Sequence, residues 1–141
     1  MLKILLPVDS SENSDRAVRH LIGLSGHCGA LDIHIVNVQP PFLYIEVLLK
    51  PGQEVVDAWS HKAGNDAARS ACALLDAAGI PYTLELSNGE VAETLIRYAE
   101  REQCNMIVIG TRGMGTVASL VLGSVATKVI HLSHMPVTLV K

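Results

Sequence analysis

Runs of apolar residues alternate along the chain with stretches whose apolar residues recur every three or four positions. The segments at residues 2–8 (broken only by Lys3), 33–38 and 106–109 have apolar centres, which is typical of strands that are buried on both faces. Residues 82–86 alternate apolar and polar side chains, which indicates a strand nearer a sheet edge. Residues 136–140 form a last apolar segment, so the pattern predicts five strands.

Helical periodicity fills the segments between these strands. The first helical segment follows Asp9-Ser10-Ser11-Glu12, which offers N-cap residues and an acid for the first turn, and we expect it to stop at Gly26 and Gly29. A long Ala-rich helix is predicted for residues 54–78, with Gly79 just beyond its end. Further helices are predicted from the apolar spacing at residues 91–99 and 124–132.

Strict alternation of strands and helices predicts one α/β domain over residues 1–141, a three-layer sandwich with a parallel sheet between helices. Ligands of such sheets bind outside the carboxyl ends of the strands, where the strand order reverses. A site is therefore expected after Val8, Val38 and Ile109. Residues 42–49 are apolar and bounded by prolines, and we interpret them as part of a long loop without an assigned role.

The charge, the lengths of the apolar runs and the spacing of cysteines and histidines argue against several classes of function. The formal net charge is −3 and no run of Lys or Arg occurs, so a nucleic-acid surface is not expected. No apolar run reaches the roughly 18 residues of a membrane span, and the chain start reads as a strand, so we expect a cytoplasmic protein. Three separated cysteines and six histidines without H-E-x-x-H spacing suggest neither a disulfide framework nor a metal site.

The segment that carries chemistry follows the strand at 106–109. It begins with Gly110-Thr111-Arg112-Gly113-Met114-Gly115. Nine residues separate Gly113 from Gly123-Ser124, which stand at the start of a helix. Glycines let the backbone approach a ligand, and free N–H groups with a helix N-terminus favour anions. We interpret the segment as a phosphate-binding loop, although such glycines also serve ordinary turns.

Other motifs fit less well. The G-x-x-x-x-G-K-[ST] loop is absent, and the G-x-G-x-x-A match beginning at Gly113 lies too near the chain end for a dinucleotide fingerprint. Asp9 follows the first strand, where it is either a helix N-cap, an acceptor for a ribose hydroxyl, or a ligand for a phosphate-bound Mg²⁺.

These motifs together resemble the universal stress protein family over essentially the whole chain. The resemblance rests on Pro7-Val8-Asp9-Ser10-Ser11, on the spacing G-x-x-G, nine residues, G-[ST], and on Met135-Pro136-Val137. That spacing marks the members that bind ATP. The resemblance implies a five-stranded parallel sheet of order 3-2-1-4-5 and a bound ATP, with Mg²⁺ as an accompanying ion.

The resemblance also implies a set of nucleotide-binding residues. Asp9 would lie beside the nucleoside, and Val38 would meet the adenine through its backbone. The set comprises Pro7, Val8, Asp9, Val38, Ile109, Gly110, Arg112, Gly113, Gly123, Ser124 and Val125. Residues 116–119 lack the basic side chains that are often found there in the family.

Three functions compete at this point. The first is an ATP-binding regulatory protein of the stress response, which holds the nucleotide as a signal or a structural ligand. The second is a slow ATPase or a nucleotidyl-transfer enzyme, for which Asp9, Arg112 and Lys128 are candidates without an obvious general base. The third is a dimerisation module with an empty site. We also expect a homodimer through the apolar last strand, with Val137, Leu139 and Val140 in the contact.

Overall fold

The structure, a computed structural model, describes residues 1–41, 48–111 and 122–141 of the chain. The strands are β1 (Leu2–Pro7), β2 (Leu31–Gln39), β3 (Tyr82–Asn88), β4 (Met106–Gly110) and β5 (Val137–Val140). The helices between them are α1 (Glu12–Cys28), α2 (Gln53–Ala77), α3 (Val91–Arg101) and α4 (Ser124–Leu132). Within these ranges no helix is both long and apolar enough to cross a lipid bilayer.

All strand pairs are parallel, and the sheet order is β3-β2-β1-β4-β5. The expected fold class and strand order are therefore confirmed. The three apolar strands β2, β1 and β4 occupy the middle, where both faces are covered. The alternating strand β3 lies at one edge, as its pattern predicts, and β5 lies at the other, as the strand order of the resemblance implies.

Each face of the sheet packs against two helices through its own apolar cluster. One cluster joins β1 and β2 to α1 and α2, with Ile4, Leu6, Leu21 and Leu75 among its fully buried members. The other joins the opposite face to α3 and α4 and includes Leu5, Val36, Leu95, Ile107 and Val129. Successive strand residues point to opposite faces, so a continuous apolar run supplies both clusters at once.

The helix ends differ in detail from the expectation. Helix α1 continues through Gly26 to Cys28, and Gly29 at φ +80° ends it. An exposed helical glycine is tolerated at a cost of about 1 kcal/mol, so Gly26 alone does not stop the helix. Helix α2 ends at Ala77, and Gly79 at φ +67° follows its C-cap, as expected.

Candidate functional site

A cavity of about 390 Å³ opens at the carboxyl ends of the central strands, beside the first turn of α4. Its volume lies in the ordinary range for a small-molecule site. The position is the topological switch point, since β2 and β4 flank β1 on opposite sides. The lining residues are Pro7, Val8, Asp9, Ser14, Val36, Asn37, Val38, Gln39, Pro40, Ala67, Val91, Leu95, Ile109, Gly110, Thr111, Gly123, Ser124, Val125 and Ala126.

The predicted site residues in the described part of the chain all line this one cavity. They are Pro7, Val8, Asp9, Val38, Ile109, Gly110, Gly123, Ser124 and Val125. Arg112 and Gly113 lie outside the described residues. Strand ends far apart in sequence are thus brought together at one place, and the roles of these residues toward a ligand stay predictions.

A network of short hydrogen bonds holds Asp9 at the end of β1. Its Oδ1 accepts from the Ser14 hydroxyl at 2.8 Å and from the Ser11 amide at 3.0 Å, while its own amide donates to Ser14 Oγ at 3.1 Å. The N-cap of α1 is Ser11, whose side chain accepts from the Ser14 amide. The interpretation of Asp9 as the N-cap is therefore wrong, because Asp9 lies before the cap and orients it.

Gly110 ends β4 at a very close approach to α1. A β-carbon placed on Gly110 would lie 2.8 Å from the carbonyl carbon and oxygen of Asn13. The absence of a side chain at this position is therefore required by helix packing, whatever the cavity holds.

Gly123 is the N-cap of α4 and has an extended backbone with φ −74° and ψ 165°. Residues other than glycine also adopt this backbone conformation, so the backbone does not require glycine here. Its amide donates to the Thr111 carbonyl at 2.6 Å, and the Thr111 amide in turn donates to the Val140 carbonyl of β5 at 2.9 Å. These bonds tie both ends of the 110–123 segment to the edge of the sheet.

The first turn of α4 faces the cavity with its backbone donors. Ser124, Val125 and Ala126 line the cavity, and the first amides of a helix have no acceptor within the helix. Gly123 has no side chain to cap them, and the first turn carries no acidic residue. In the part of the chain that the structure describes, no side chain therefore caps this N-terminus, and its partial positive charge favours an anion in the cavity.

Asn37 joins the ends of β1 and β2 inside the cavity wall. It is 3% exposed, its Nδ2 donates to the Val8 carbonyl at 2.7 Å, and its Oδ1 accepts from Gln39 Nε2 at 2.8 Å. Gly64 of α2 makes room for it, since a β-carbon there would lie 3.4 Å from Asn37 Oδ1 and 3.1 Å from Leu86 Cδ2.

Sequence reasoning missed several polar lining residues. Ser14, Asn37, Gln39 and Thr111 were not singled out, although all four line the cavity. Asn37 carried a usable signal, because a carboxamide interrupts the apolar run at the end of β2. Ser14 carried none, because it is one of several polar residues at the start of α1, and Thr111 carried none, because its backbone bonds are with Gly123 and with Val140 of β5.

Comparison with known proteins identifies the relatives of this architecture. The sequence profile of the universal stress protein family matches residues 1–141. The chain belongs to the universal stress protein family. A universal stress protein of Thermus aquaticus is 31% identical over 144 residues, covering 98% of this chain and 97% of the relative. Universal stress protein MJ0531 of Methanocaldococcus jannaschii is 28% identical over 141 residues, covering 99% of this chain and 81% of the relative.

Solved structures share the fold. The hypothetical protein MJ0577 superposes with a TM-score of 0.82 at 26% identity, covering 99% of this chain and 95% of that one. A universal stress protein in complex with cAMP gives a TM-score of 0.71 at 23% identity, covering 99% and 97%. The universal stress protein from Archaeoglobus fulgidus in complex with dAMP superposes with a TM-score of 0.69 at 21% identity, covering 100% of this chain and 98% of that one. Some structural neighbours of this chain thus bind nucleotides.

Proposed function

We propose that this universal stress protein is an ATP-binding regulatory protein of the stress response, with residues 1–141 as one nucleotide-binding domain. The observation that carries the proposal is the cavity at the switch point, where an apolar wall meets the uncapped N-terminus of α4. A nucleotide combines an apolar base with an anionic phosphate chain, and the cavity offers a suitable surface to each part. The cAMP and dAMP complexes of related folds support a nucleotide as the ligand class.

The nucleoside would occupy the apolar part of the cavity. Pro7, Val8, Val38 and Ile109 are lining residues there, and the backbone of Val38 would face the adenine. Asp9 would accept from a ribose hydroxyl, since its carboxylate is held in place by Ser11 and Ser14. Burial of the adenine base against these apolar side chains would supply the apolar contribution to the binding free energy.

The phosphates would lie at the first turn of α4. The amides of Ser124 and Val125 and the hydroxyl of Ser124 are the donors, and Gly123 contributes by leaving space. Its own amide is already bound to Thr111. Gly110 would form the opposite wall of the phosphate region. Arg112 and Gly113, which lie outside the described residues, would also contact the phosphates.

Mg²⁺ would enter with the phosphates. Within the described part of the chain no three His, Cys, Asp or Glu side chains cluster as a metal site. Asp9 is a lining carboxylate, and hard cations prefer such oxygen ligands together with phosphate oxygens. An ion at this place would be held by Asp9 and the nucleotide, which is the alternative to the contact of Asp9 with the ribose.

The experiment is a thermal-shift titration of nucleotide-free protein with Mg-ATP. Binding to the native state alone stabilises it by about 2.7 kcal/mol at a hundredfold excess over Kd, which raises the melting temperature. Gly113→Val serves as the loop variant, and we expect it to lose the shift. A wild-type protein without any shift at millimolar Mg-ATP would refute the proposal.

A homodimer through β5 completes the proposal. Val137, Leu139 and Val140 would pair with their copies across a two-fold axis, which satisfies both open edges at once. Leu139 is 40% exposed, and β5 contains no charged residue that would discourage pairing. The cytoplasmic location expected from the sequence stays a prediction.

A further inference from the structure

The hydrogen-bond pattern at the ends of β1 and β2 departs from an ordinary parallel ladder. In such a ladder the N–H and C=O of one residue face the same neighbouring strand, and the next residue faces the other neighbour. The Val8 amide donates to the Val36 carbonyl at 3.0 Å, so the backbone of Val36 faces β1. The backbone of Val38, two residues later, therefore also faces the β1 side, where β1 has ended.

The regular continuation would give the Val8 carbonyl to the Val38 amide. Instead, the Asn37 side chain occupies that carbonyl through Nδ2 at 2.7 Å. Val8 lies outside β1, and among the backbone hydrogen bonds outside the helices and ladders of residues 1–41, 48–111 and 122–141 none joins the Val38 amide to Val8 or to another acceptor. Val38 is 6% exposed and lines the cavity, so its backbone N–H and C=O are buried groups that face the site.

The polarity of this arrangement is fixed by chemistry. The Val8 carbonyl only accepts, so the Asn37 group that meets it is the NH₂ group. Asn37 Oδ1 then faces Gln39, whose Nε2 donates to it at 2.8 Å. Rotating the Asn37 carboxamide would place oxygen against the Val8 carbonyl oxygen, and the buried site gives no compensation.

We propose that Asn37 is a positioning residue for base recognition, because it takes the Val8 carbonyl and leaves the Val38 N–H and C=O to a 6-aminopurine. The inference rests on the proposed function, in which the Val38 backbone faces the adenine, and adds the residue that leaves that backbone unpaired for the base. A 6-aminopurine offers N1 as an acceptor and the 6-amino group as a donor, which complements one N–H and one C=O. A 6-oxopurine instead has a donor at N1 and an acceptor at O6, so its donor would face the Val38 N–H and its acceptor would face the Val38 C=O.

The test measures dissociation constants by calorimetry for Mg-ATP, Mg-ITP and magnesium tripolyphosphate, which lacks a base. We expect the wild type to bind ATP at least about tenfold more tightly than ITP, since mismatched buried groups lose their hydrogen bonds. Asn37→Asp keeps the side-chain shape but removes the donor to Val8. We expect this variant to lose about tenfold in ATP affinity, with ITP and tripolyphosphate changed by less than about threefold.

Asn88→Asp is the matched control. It makes the same change of carboxamide to carboxylate at an exposed residue of β3 that does not line the cavity, so the ratio of ATP to ITP affinity should stay within about threefold of wild type. Equal loss of all three ligands in Asn37→Asp would overturn the inference, because it would indicate a purely structural role.

The wild type alone also decides the matter if the Asn37 variant does not fold. Equal binding of ATP and ITP by the wild type would overturn the base assignment and leave nucleotide binding intact. Binding of neither nucleotide would overturn the proposed function and this inference together. The two failures are therefore distinguishable.

Discussion

Gly110 and Asn13 lie so close that a β-carbon on Gly110 would stand 2.8 Å from the backbone carbonyl of Asn13. We expect Gly110→Ala to destabilise the fold by about 1–3 kcal/mol, because α1 must move away from β4. Urea denaturation followed by circular dichroism measures the change.

Gly23→Ala is the control for this substitution. Gly23 lies on the exposed side of α1, and nothing lies within 4 Å of a β-carbon there. Alanine should stabilise the helix by up to about 1 kcal/mol at that position. Equal effects of the two substitutions would contradict the packing role of Gly110.

Gly123→Val should weaken ATP binding by at least about tenfold while the fold survives. The backbone at Gly123 is extended, with φ −74°, so valine adopts it without strain, but its side chain would enter the phosphate region. Calorimetry with Mg-ATP gives the affinity. Gly52→Val is the matched control, since Gly52 is likewise an extended N-cap, with φ −64°, and nothing surrounds its β-carbon position within 4 Å. Wild-type affinity in Gly123→Val would refute the phosphate assignment.

Leu139→Lys should dissociate the dimer. The new charge would lie on the β5 edge, where burying it against a second copy is costly. Sedimentation at tens of micromolar protein distinguishes dimer from monomer. Leu84→Lys is the control, because Leu84 is 37% exposed on β3 at the opposite edge. A monomeric wild type would refute the dimer, and a Leu139→Lys variant that stays dimeric would place the interface elsewhere.

ATP hydrolysis should be slow or absent. Among the described residues that line the cavity, Asp9 is the one carboxylate and there is no His, Lys or Arg. One Asp9 oxygen is already engaged by Ser11 and Ser14, so no base is poised for water. Phosphate release with Mg-ATP measures turnover, and Gly123→Val corrects for contaminating activity. A rate near the ~10 s⁻¹ median of enzymes, lost in the variant, would favour the enzymatic function.

Tyr98→Phe should destabilise the protein at neutral pH by about 1 kcal/mol, because the buried Tyr98 hydroxyl is 2.7 Å from His34 Nδ1. Burial, with the nearby carboxylates of Glu102 and Glu85, raises the pKa of Tyr98 to about 12. The unfolded chain loses this proton first, near pH 10, so the Tyr98 contribution is complete below pH 10 and declines toward pH 12. The stability advantage of the wild type over the variant should therefore shrink over this range in urea denaturation and then reverse, because two pKa units correspond to about 2.7 kcal/mol. A constant difference would contradict the pKa shift.

The sequence by itself determined the fold class and predicted the end of the sheet at which a cavity lies. Apolar runs and their spacing are local properties, and they predicted the strands, the edge position of β3 and the start of α4 at Ser124. The edge position of β5 came from the strand order that the resemblance implies. The general rule for parallel sheets then placed the site at the carboxyl ends of β1, β2 and β4, where the cavity lies.

Only the tertiary structure decided how individual residues act there. Ser11 rather than Asp9 caps α1, and Gly110 is required by the backbone of Asn13. Asn37 binds the Val8 carbonyl in place of a ladder amide. Each of these roles depends on distances of a few ångströms that the folded chain sets, most of them between residues far apart in sequence. Periodicity and composition describe groups of positions, whereas these contacts are made by individual residues, so the sequence patterns do not give such distances.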